Sequence, residues 1–276
     1  ALLITEAHNF NGVQWGKDKR YLRNNFTPAS QIASLFWDYY EFTGDEEFLK
    51  ERAYTFMKKA SHFYLDRLEW DEEKNEYFLK ASLYESAPIA YVKNPISDRN
   101  CIERLFKDCI RAAEILNVDK DEVKQWRHVL NHLWERGYQQ FGECGEVISP
   151  AEEYYTEKRY SPWIWGNGGA VAFPAGLIGI DDKDTRLGKA VVNLLKHDDE
   201  CNAHYPYPQI AARMGEGDVA LKYIWNGVNV HQMYPQGLMH NVTGYPDNIY
   251  DLASVHNLLK LSLIHISEPT RPEPIS

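Results

Sequence analysis

The stretch YYEFTGDEEFL, residues Tyr39–Leu49, contains the passage from one helix to the next on which the predicted fold depends. Before it, apolar residues recur at helical spacing from Pro28 to Phe42, and the fixed φ of Pro28 suits a first helical turn. Gly44 then ends that helix, and Asp45 caps a second helix whose first turn is acidic. Two helices joined by a tight Gly-Asp turn predict an αα-hairpin.

Three later turns, at 117–119, 179–181 and 214–218, repeat this plan, in which an apolar helix is followed by a helix with an acidic start. Their spacing is uneven, so the chain is not a solenoid of fixed period. The connections on the other side of each pair are long and aromatic. This pattern predicts an all-α fold, a partial (α/α)6 toroid of αα-hairpins whose long loops gather at one end and build the site.

Hydrophobic periodicity places the predicted elements along the chain. A β-hairpin is expected at 70–79, and 146–165 is interpreted as a loop rich in functional residue types. The expected helices are 28–42, 46–64, 98–116, 122–136, 167–178, 187–196 and 219–225.

The two ends of the sequence favour a piece of a longer protein. The chain begins without Met, like the interior of a larger sequence. Its tail from Leu261 to Arg271 resembles the translation of an adapter used in sequencing libraries. We therefore interpret 1–260 as a partial catalytic domain and 261–276 as a non-native tail.

Composition excludes several classes of function. The net charge of −10 and the lack of a Lys/Arg cluster argue against nucleic acid and anionic membranes as partners. No apolar run approaches the ~20 residues of a membrane helix. The four cysteines have no metal-binding spacing and leave the redox compartment open, with an extracytoplasmic (periplasmic or secreted) location preferred.

The candidate catalytic groups in this sequence are carboxylates that lie among aromatic residues. Motifs for zinc proteases, P-loops, dinucleotide binding and α/β-hydrolases are absent. Hydrolysis of a glycoside needs one carboxylic acid to protonate the leaving oxygen and a second group that activates water or attacks. Glu85, between Tyr84 and Pro88 and before a helix, is the candidate acid. Glu152 and Glu153 are candidates for the second role, although an isolated glutamate is more often a solvated surface group.

Aromatic and polar residues in the loops are candidates for binding sugar, because a flat ring covers the apolar face of a pyranose. Such rings also fill cores between helices, and most of the aromatic 13% is expected to do so. The scattered histidines show no ligand spacing, so no metal and no cofactor is expected. The candidate substrate-binding residues are His8, Asn9, Trp15, Tyr84, Trp163, Trp165, Asn167 and His204.

The order of these motifs resembles glycoside hydrolase family 95 and its six-hairpin relatives. The hairpin at Tyr39–Leu49 is similar, and so is the passage from Asn94-Pro95 through Ile102–Phe106 to Ala113–Asp119. The family's general acid is a glutamate in a Ser-Pro-Glu type loop, and Glu85 lies in the matching place.

The resemblance implies an (α/α)6 barrel and α-L-fucosidase or α-L-galactosidase activity with inversion, on an oligosaccharide or polysaccharide. In this sequence a proline follows Glu85, at Pro88, instead of preceding it. The family's asparagine motif, which positions water, would lie upstream of Ala1. The resemblance therefore implies a missing upstream part and a fragment that is inactive by itself.

Two alternatives stay open. Six-hairpin folds also include lyases and phosphorylases, but a uronate lyase would need basic residues, and the candidate loops are acidic. A non-catalytic, carbohydrate-binding helical scaffold is the second alternative.

Overall fold

The computed structural model describes residues 26–83, 91–157, 162, 168–197 and 206–226. These residues are mostly helical. A π-helical turn, Leu49–Ala53, joins the second helix to the third, and 3-10 turns lie at Gly142–Cys144 and Ile180–Asp182. The helices are α1 (Thr27–Thr43), α2 (Glu46–Phe48), α3 (Tyr54–Arg67), α4 (Ile96–Leu116), α5 (Lys120–Asn131), α6 (Arg186–Leu194), α7 (Tyr207–Arg213) and α8 (Gly217–Asn226).

The turn between α1 and α2 confirms the αα-hairpin that the sequence predicts. Gly44 adopts a left-handed conformation with φ 67° and donates its N–H to Tyr40 O at 2.8 Å. Asp45 then caps α2, its Oδ1 accepting the Phe48 N–H at 2.9 Å. Asn117, with φ 51°, takes the same place at the end of α4 and leads the chain towards α5.

Short strands add more sheet than the sequence predicts. The expected hairpin is confirmed, with Trp70 opposite Tyr77. A three-stranded sheet in the order β3-β4-β7 and a hairpin of β5 with β6 were not predicted, and β6 and β7 fall inside the stretch interpreted as a loop. The strands are β1 (Glu69–Asp71), β2 (Glu76–Phe78), β3 (Lys80–Ser82), β4 (Tyr91–Lys93), β5 (Tyr138–Gln140), β6 (Glu146–Ile148) and β7 (Glu153–Tyr154).

Several helix boundaries differ from the predictions. Helix α4 begins at Ile96, two residues before the predicted start at residue 98. Pro95 directly precedes it, because proline has no N–H to donate within a helix but is tolerated at a helix start. Helix α5 ends at Asn131 and not at 136, since His132 O accepts the Tyr77 N–H at 2.7 Å and joins the chain to β2.

The small-residue helix predicted from Asn167 to Ile178 is wrong for its described part. Residues 168–178 form turns and irregular chain, and Phe173-Pro174 is a cis peptide. A Cβ on Gly169 would collide with the Ile210 side chain. Close packing therefore explains the small residue there.

The described residues form two compact units. The first contains 26–83, 91–137 and 149–157, and the second contains 138–148, 162, 168–197 and 206–226. In the first unit α4 packs against α1, α3 and α5. Fully buried side chains fill the space between these helices, among them Trp37, Met57, Phe106 and Trp126. In the second unit α6 packs on β6, and α7 pairs with α8.

Candidate functional site

The sheet β3-β4-β7 organises the candidate site in the first unit. Strands β3 and β4 are antiparallel, with Lys80 opposite Lys93 at one end and Ser82 opposite Tyr91 at the other. Residues 84–90, which include Glu85 and Tyr84, join the two strands at the Ser82–Tyr91 end and lie outside the described residues. The other edge of β4 pairs with β7, where Lys93 faces Glu153.

The two faces of this sheet differ because side chains alternate along each strand. Ala81 and Val92, which are opposite each other, are completely buried. On the other face, Lys80, Lys93 and Glu153 form one row, in which the two lysine ammonium groups lie about 5 Å from the ring centroid of Phe78. The sheet thus presents a charged row on its outer face.

Glu152 lies at the Lys93 end of the sheet, where an amide and two ammonium groups hold its carboxylate. Lys74 Nζ donates to Oε1 at 2.8 Å, and Asn94 Nδ2 donates to Oε2 at 2.5 Å. Lys93 Nζ lies 3.6 Å from Oε1. Asn94 is itself fixed, since its Oδ1 accepts the Leu79 N–H at 2.9 Å.

These contacts decide the ionisation of Glu152. Partial burial by itself raises the pKa of a carboxyl group. Here the hydrogen bonds from Lys74 and Asn94, together with the charge of Lys93, outweigh that effect and lower the pKa of Glu152. The carboxylate therefore stays ionised at neutral pH, which suits a group that orients water or an amide and does not suit a general acid.

A cavity of about 220 Å³ adjoins this carboxylate. Its lining combines apolar surface with polar and charged side chains that include Glu152, Asn94, Ser149 and Arg136. Groups that donate and accept hydrogen bonds at a concave surface are suited to a hydroxylated ligand. The lining residues are Lys74, Glu76, Asn94, Ile96, Trp134, Glu135, Arg136, Gly137, Ser149, Ala151 and Glu152.

Glu153 has a different environment from its neighbour. Both side chains are exposed, but Glu153 belongs to the sheet and stands opposite Lys93 on its outer face. Glu152 directly precedes β7 and contacts Lys74, Lys93 and Asn94, whereas Glu153 is the first residue of the strand.

A third carboxyl group, Asp98, is buried in the first turn of α4. Its Oδ1 accepts the Tyr64 hydroxyl at 3.3 Å and its Oδ2 accepts the Ser97 hydroxyl at 3.2 Å. Burial raises the pKa of Asp98 to about 7, although these hydrogen bonds act in the opposite direction. Sequence reasoning assigned Asp98 only to the helix start, and no local signal marks it as buried.

Most of the residues proposed from the sequence lie outside the described residues. Of the candidates, the structure describes Glu152 and Glu153 and brings them next to the β3-β4 hairpin. Within the described ranges, no group of three or more His, Cys, Asp or Glu side chains could hold a metal ion, and no helix is long and apolar enough to cross a membrane. The candidates outside the described residues are His8, Asn9, Trp15, Tyr84, Glu85, Trp163, Trp165, Asn167 and His204.

The sequence reasoning also missed Asn94 and Lys74 as partners of Glu152. The sequence presents Asn94 only as the residue before a helix-opening proline; in the structure it follows β4 directly and has a left-handed φ of 57°. Lys74 is 78 residues from Glu152 along the chain. Nothing in the local sequence could have shown either contact.

Comparison with known proteins assigns the family. The sequence model of the glycosyl hydrolase family 95 catalytic domain matches residues 4–249. The chain belongs to this family. In this family 95 chain the matched range runs through both compact units and includes the whole candidate site.

A more distant relative is the protein-glucosylgalactosylhydroxylysine glucosidase of Dictyostelium discoideum. It is 24% identical to this family 95 chain over 135 residues. The aligned part covers 45% of the chain and only 18% of the relative.

Proposed function

We propose that this family 95 chain is part of a glycoside hydrolase that acts on plant or host oligosaccharides or polysaccharides. The family match over 4–249 carries this proposal. The finer activity that we propose is that of an α-L-fucosidase or α-L-galactosidase that inverts the anomeric centre.

In this proposal Glu85 is the general acid, and Glu152 or Glu153 orients water or the amide that activates it. The lowered pKa of Glu152 supports the second role. The order of the chain also supports it, since Glu153 pairs with Lys93 on β4, the strand that follows the segment carrying Glu85.

The sequence candidates complete the proposed site. Trp15, Trp163 and Trp165 would provide sugar platforms, and His8, Asn9 and Asn167 would bind hydroxyl groups. Tyr84 and His204 would line the same opening. No cofactor enters the reaction that we propose.

The test begins with a panel of aryl α- and β-glycosides that includes fucoside and galactoside. We would assay both the 276-residue chain and the protein of the longest reading frame that contains it, without residues 261–276. Glu85→Gln should lower kcat by roughly 10²–10⁴-fold, the usual contribution of a general acid. Glu73→Gln, at the tip of the β1-β2 hairpin, is the matched control and should keep full activity.

Substrates with different leaving groups distinguish the general acid from the carboxylate that activates water. A dinitrophenyl leaving group needs little protonation, so Glu85→Gln should lose far less activity on it than on 2′-fucosyllactose. A variant of the residue that activates water, Glu152→Gln or Glu153→Gln, should lose similar activity on both substrates, because water attack is needed for each. An equal loss on both substrates in Glu85→Gln would move the acid elsewhere.

A glucosidase is the second candidate. The one observation in its favour is the distant relative, whose name describes a glucosidase acting on a glucosylgalactosylhydroxylysine. Aryl α- and β-glucosides in the panel test it directly. Turnover of glucosides without turnover of fucosides or galactosides would replace the first proposal by this one.

The same variants address the non-catalytic alternative. A carbohydrate-binding scaffold should bind glycans equally well with Glu85→Gln and turn over none of the panel. Turnover of any glycoside that Glu85→Gln abolishes excludes it.

A further inference from the structure

Two histidines stack on each other where α5 ends. The ring centroids of His128 and His132 are 4.3 Å apart, with an angle of 24° between the ring planes. His128 is exposed, and His132 is half-buried in the position that caps the helix. Residues four apart share one face of a helix, so both imidazoles lie on the same side of α5.

The β1-β2 hairpin holds these two rings in place. The Trp70 ring centroid lies 6.0 Å from that of His128 and 5.7 Å from that of His132. Tyr77 meets the His128 ring edge-on at 5.8 Å, and its backbone N–H donates to His132 O at 2.7 Å. Packing therefore fixes the imidazoles before any ligand binds, which lowers the entropic cost of binding.

The hydrogen bonds of the two imidazoles leave one nitrogen of each ring open. His132 Nδ1 lies 2.8 Å from His128 O. Because a carbonyl oxygen only accepts, Nδ1 of the neutral His132 ring carries the proton and Nε2 carries the lone pair. His128 Nδ1 lies 3.4 Å from the Tyr77 hydroxyl, whose oxygen can accept from it in the same way. Neither Nε2 atom has a hydrogen-bond partner among the described residues.

We propose that His128 and His132 form a bidentate binding site for a divalent transition-metal ion such as Cu²⁺, Ni²⁺ or Zn²⁺. Two histidines four residues apart on one helix face supply two of the zinc ligands in metalloproteases. A histidine that binds a metal usually donates its other ring N–H to a carbonyl or a similar acceptor, as His132 does here. Imidazole nitrogen suits these ions, whereas Mg²⁺ and Ca²⁺ prefer oxygen ligands.

The protein supplies only two ligands at this site. Within the ranges that the structure describes, no group of three or more His, Cys, Asp or Glu side chains could hold a metal ion, so water would complete the coordination. From the sequence alone no metal is expected, because the spacing of the histidines does not show the stacked rings or their hydrogen bonds. The site does not depend on the proposed glycosidase function, which needs no metal.

A purely structural role makes a different prediction. The rings of Trp70, Tyr77, His128 and His132 also attach the hairpin to α5. In that role the loss of an imidazole would lower the melting temperature to the same extent with and without metal. The test therefore measures metal binding and not stability alone.

The experiment titrates the 276-residue chain, produced without a polyhistidine tag, with NiCl₂ in a calorimeter, and with MgCl₂ for comparison. We expect the strongest site to bind one Ni²⁺ ion with micromolar affinity, and Mg²⁺ not to bind there. Loss of an outer hydrogen-bond partner of a metal ligand already weakens binding about tenfold or more. His128→Gln and His132→Gln, which each remove a ligand, should therefore weaken Ni²⁺ binding by at least about tenfold.

His62→Gln is the matched control. It removes a histidine of α3 whose Nε2 lies 2.9 Å from Glu122 Oε2, away from the stacked pair in sequence. Ni²⁺ binding should be unchanged in this variant.

Trp70 gives a second readout that does not require the histidine variants to fold. Bound Cu²⁺ quenches the fluorescence of a nearby indole, and Trp70 lies within 6.0 Å of both imidazole centroids. One equivalent of Cu²⁺ should therefore quench part of the wild-type emission, and Trp70→Phe should lack that quenched part.

Each outcome supports or overturns the metal site. Weaker Ni²⁺ binding in both variants of the pair, with the control unchanged, supports it. A wild-type chain that binds no Ni²⁺, or an equal affinity in all three histidine variants, overturns it. Equal quenching by Cu²⁺ in the wild type and in Trp70→Phe would also overturn it, because the ion would then bind elsewhere.

Discussion

Asp98 and Glu152 are carboxyl groups of the same unit, and their surroundings shift their pKa values in opposite directions. Glu152 has two ammonium groups and an amide around it, and these lower its pKa. Asp98 is completely buried and its side-chain hydrogen bonds come from the neutral hydroxyl groups of Tyr64 and Ser97, so its pKa rises to about 7. The difference between the two residues lies in the charge of their partners.

Asp98 makes the stability of the protein depend on pH. Its pKa is about 7 in the folded chain against a model value of 3.8, a difference of about three units or ~4 kcal/mol. A raised folded-state pKa means that the contribution of Asp98 to stability is fully present below about pH 4. It is lost as the pH rises through about 7, because the buried carboxyl group must then ionise.

The prediction concerns Asp98→Asn, which removes the ionisation while keeping the shape. Between about pH 5 and pH 8 the wild-type free energy of unfolding should fall by about 3 kcal/mol more than that of the variant. Urea denaturation of both proteins at the two pH values measures this difference. The same pH dependence in both would show that the pKa of Asp98 is not raised in the folded chain.

At the scale of elements, the sequence predicts best where the signal is local. The end of α1 at Gly44 and the cap of α2 at Asp45 are confirmed, since each depends on residues within one turn. Strand β7 was missed because its hydrogen bonds go to β4, about 60 residues earlier in the chain. The contacts of Glu152 with Lys93 and Asn94 accompany that pairing, so the sequence could propose the carboxylate without predicting its partners.

The left-handed residues that end α1 and α4 allow a matched pair of substitutions. Gly44 has φ 67° and no atom within 4 Å of an added Cβ, so Gly44→Ala changes only the backbone preference. We expect it to lower the free energy of unfolding by about 1–2 kcal/mol. Asn117→Gly, at φ 51° in the same place on α4, should have no effect or a small stabilising one.

Urea unfolding of the wild type and both variants checks this pair. Opposite signs, or a loss in Gly44→Ala alone, would support the assignment of the strain to φ. A similar loss in both variants would contradict it, and would show that the side chain of Asn117 itself stabilises the turn.

At the scale of the whole molecule, one family match covers both of the compact units that the contacts define. The described residues form two compact units, yet the catalytic-domain match runs from residue 4 to residue 249 through both. We therefore treat the units as parts of one catalytic domain. The helical class of this domain follows from periodicity in the sequence, whereas its small sheets do not, because strands of two or three residues carry little periodic signal.

The last prediction concerns the stereochemistry of the product. It belongs to the whole molecule, because it depends on two carboxyl groups from separate segments of the chain. We expect hydrolysis of an aryl α-L-fucoside to release β-L-fucose first, as proton NMR within the first minutes, before mutarotation, would show. Release of the α anomer would contradict inversion and require a carboxylate that attacks the anomeric carbon, with the two carboxyl groups only about 5–5.5 Å apart. Glu152 is a poor candidate for that attack, since Lys74 and Asn94 already bind both of its oxygens. A carboxylate held in this way can still orient a water molecule or an amide beside it, and this is the role that an inverting reaction leaves to Glu152.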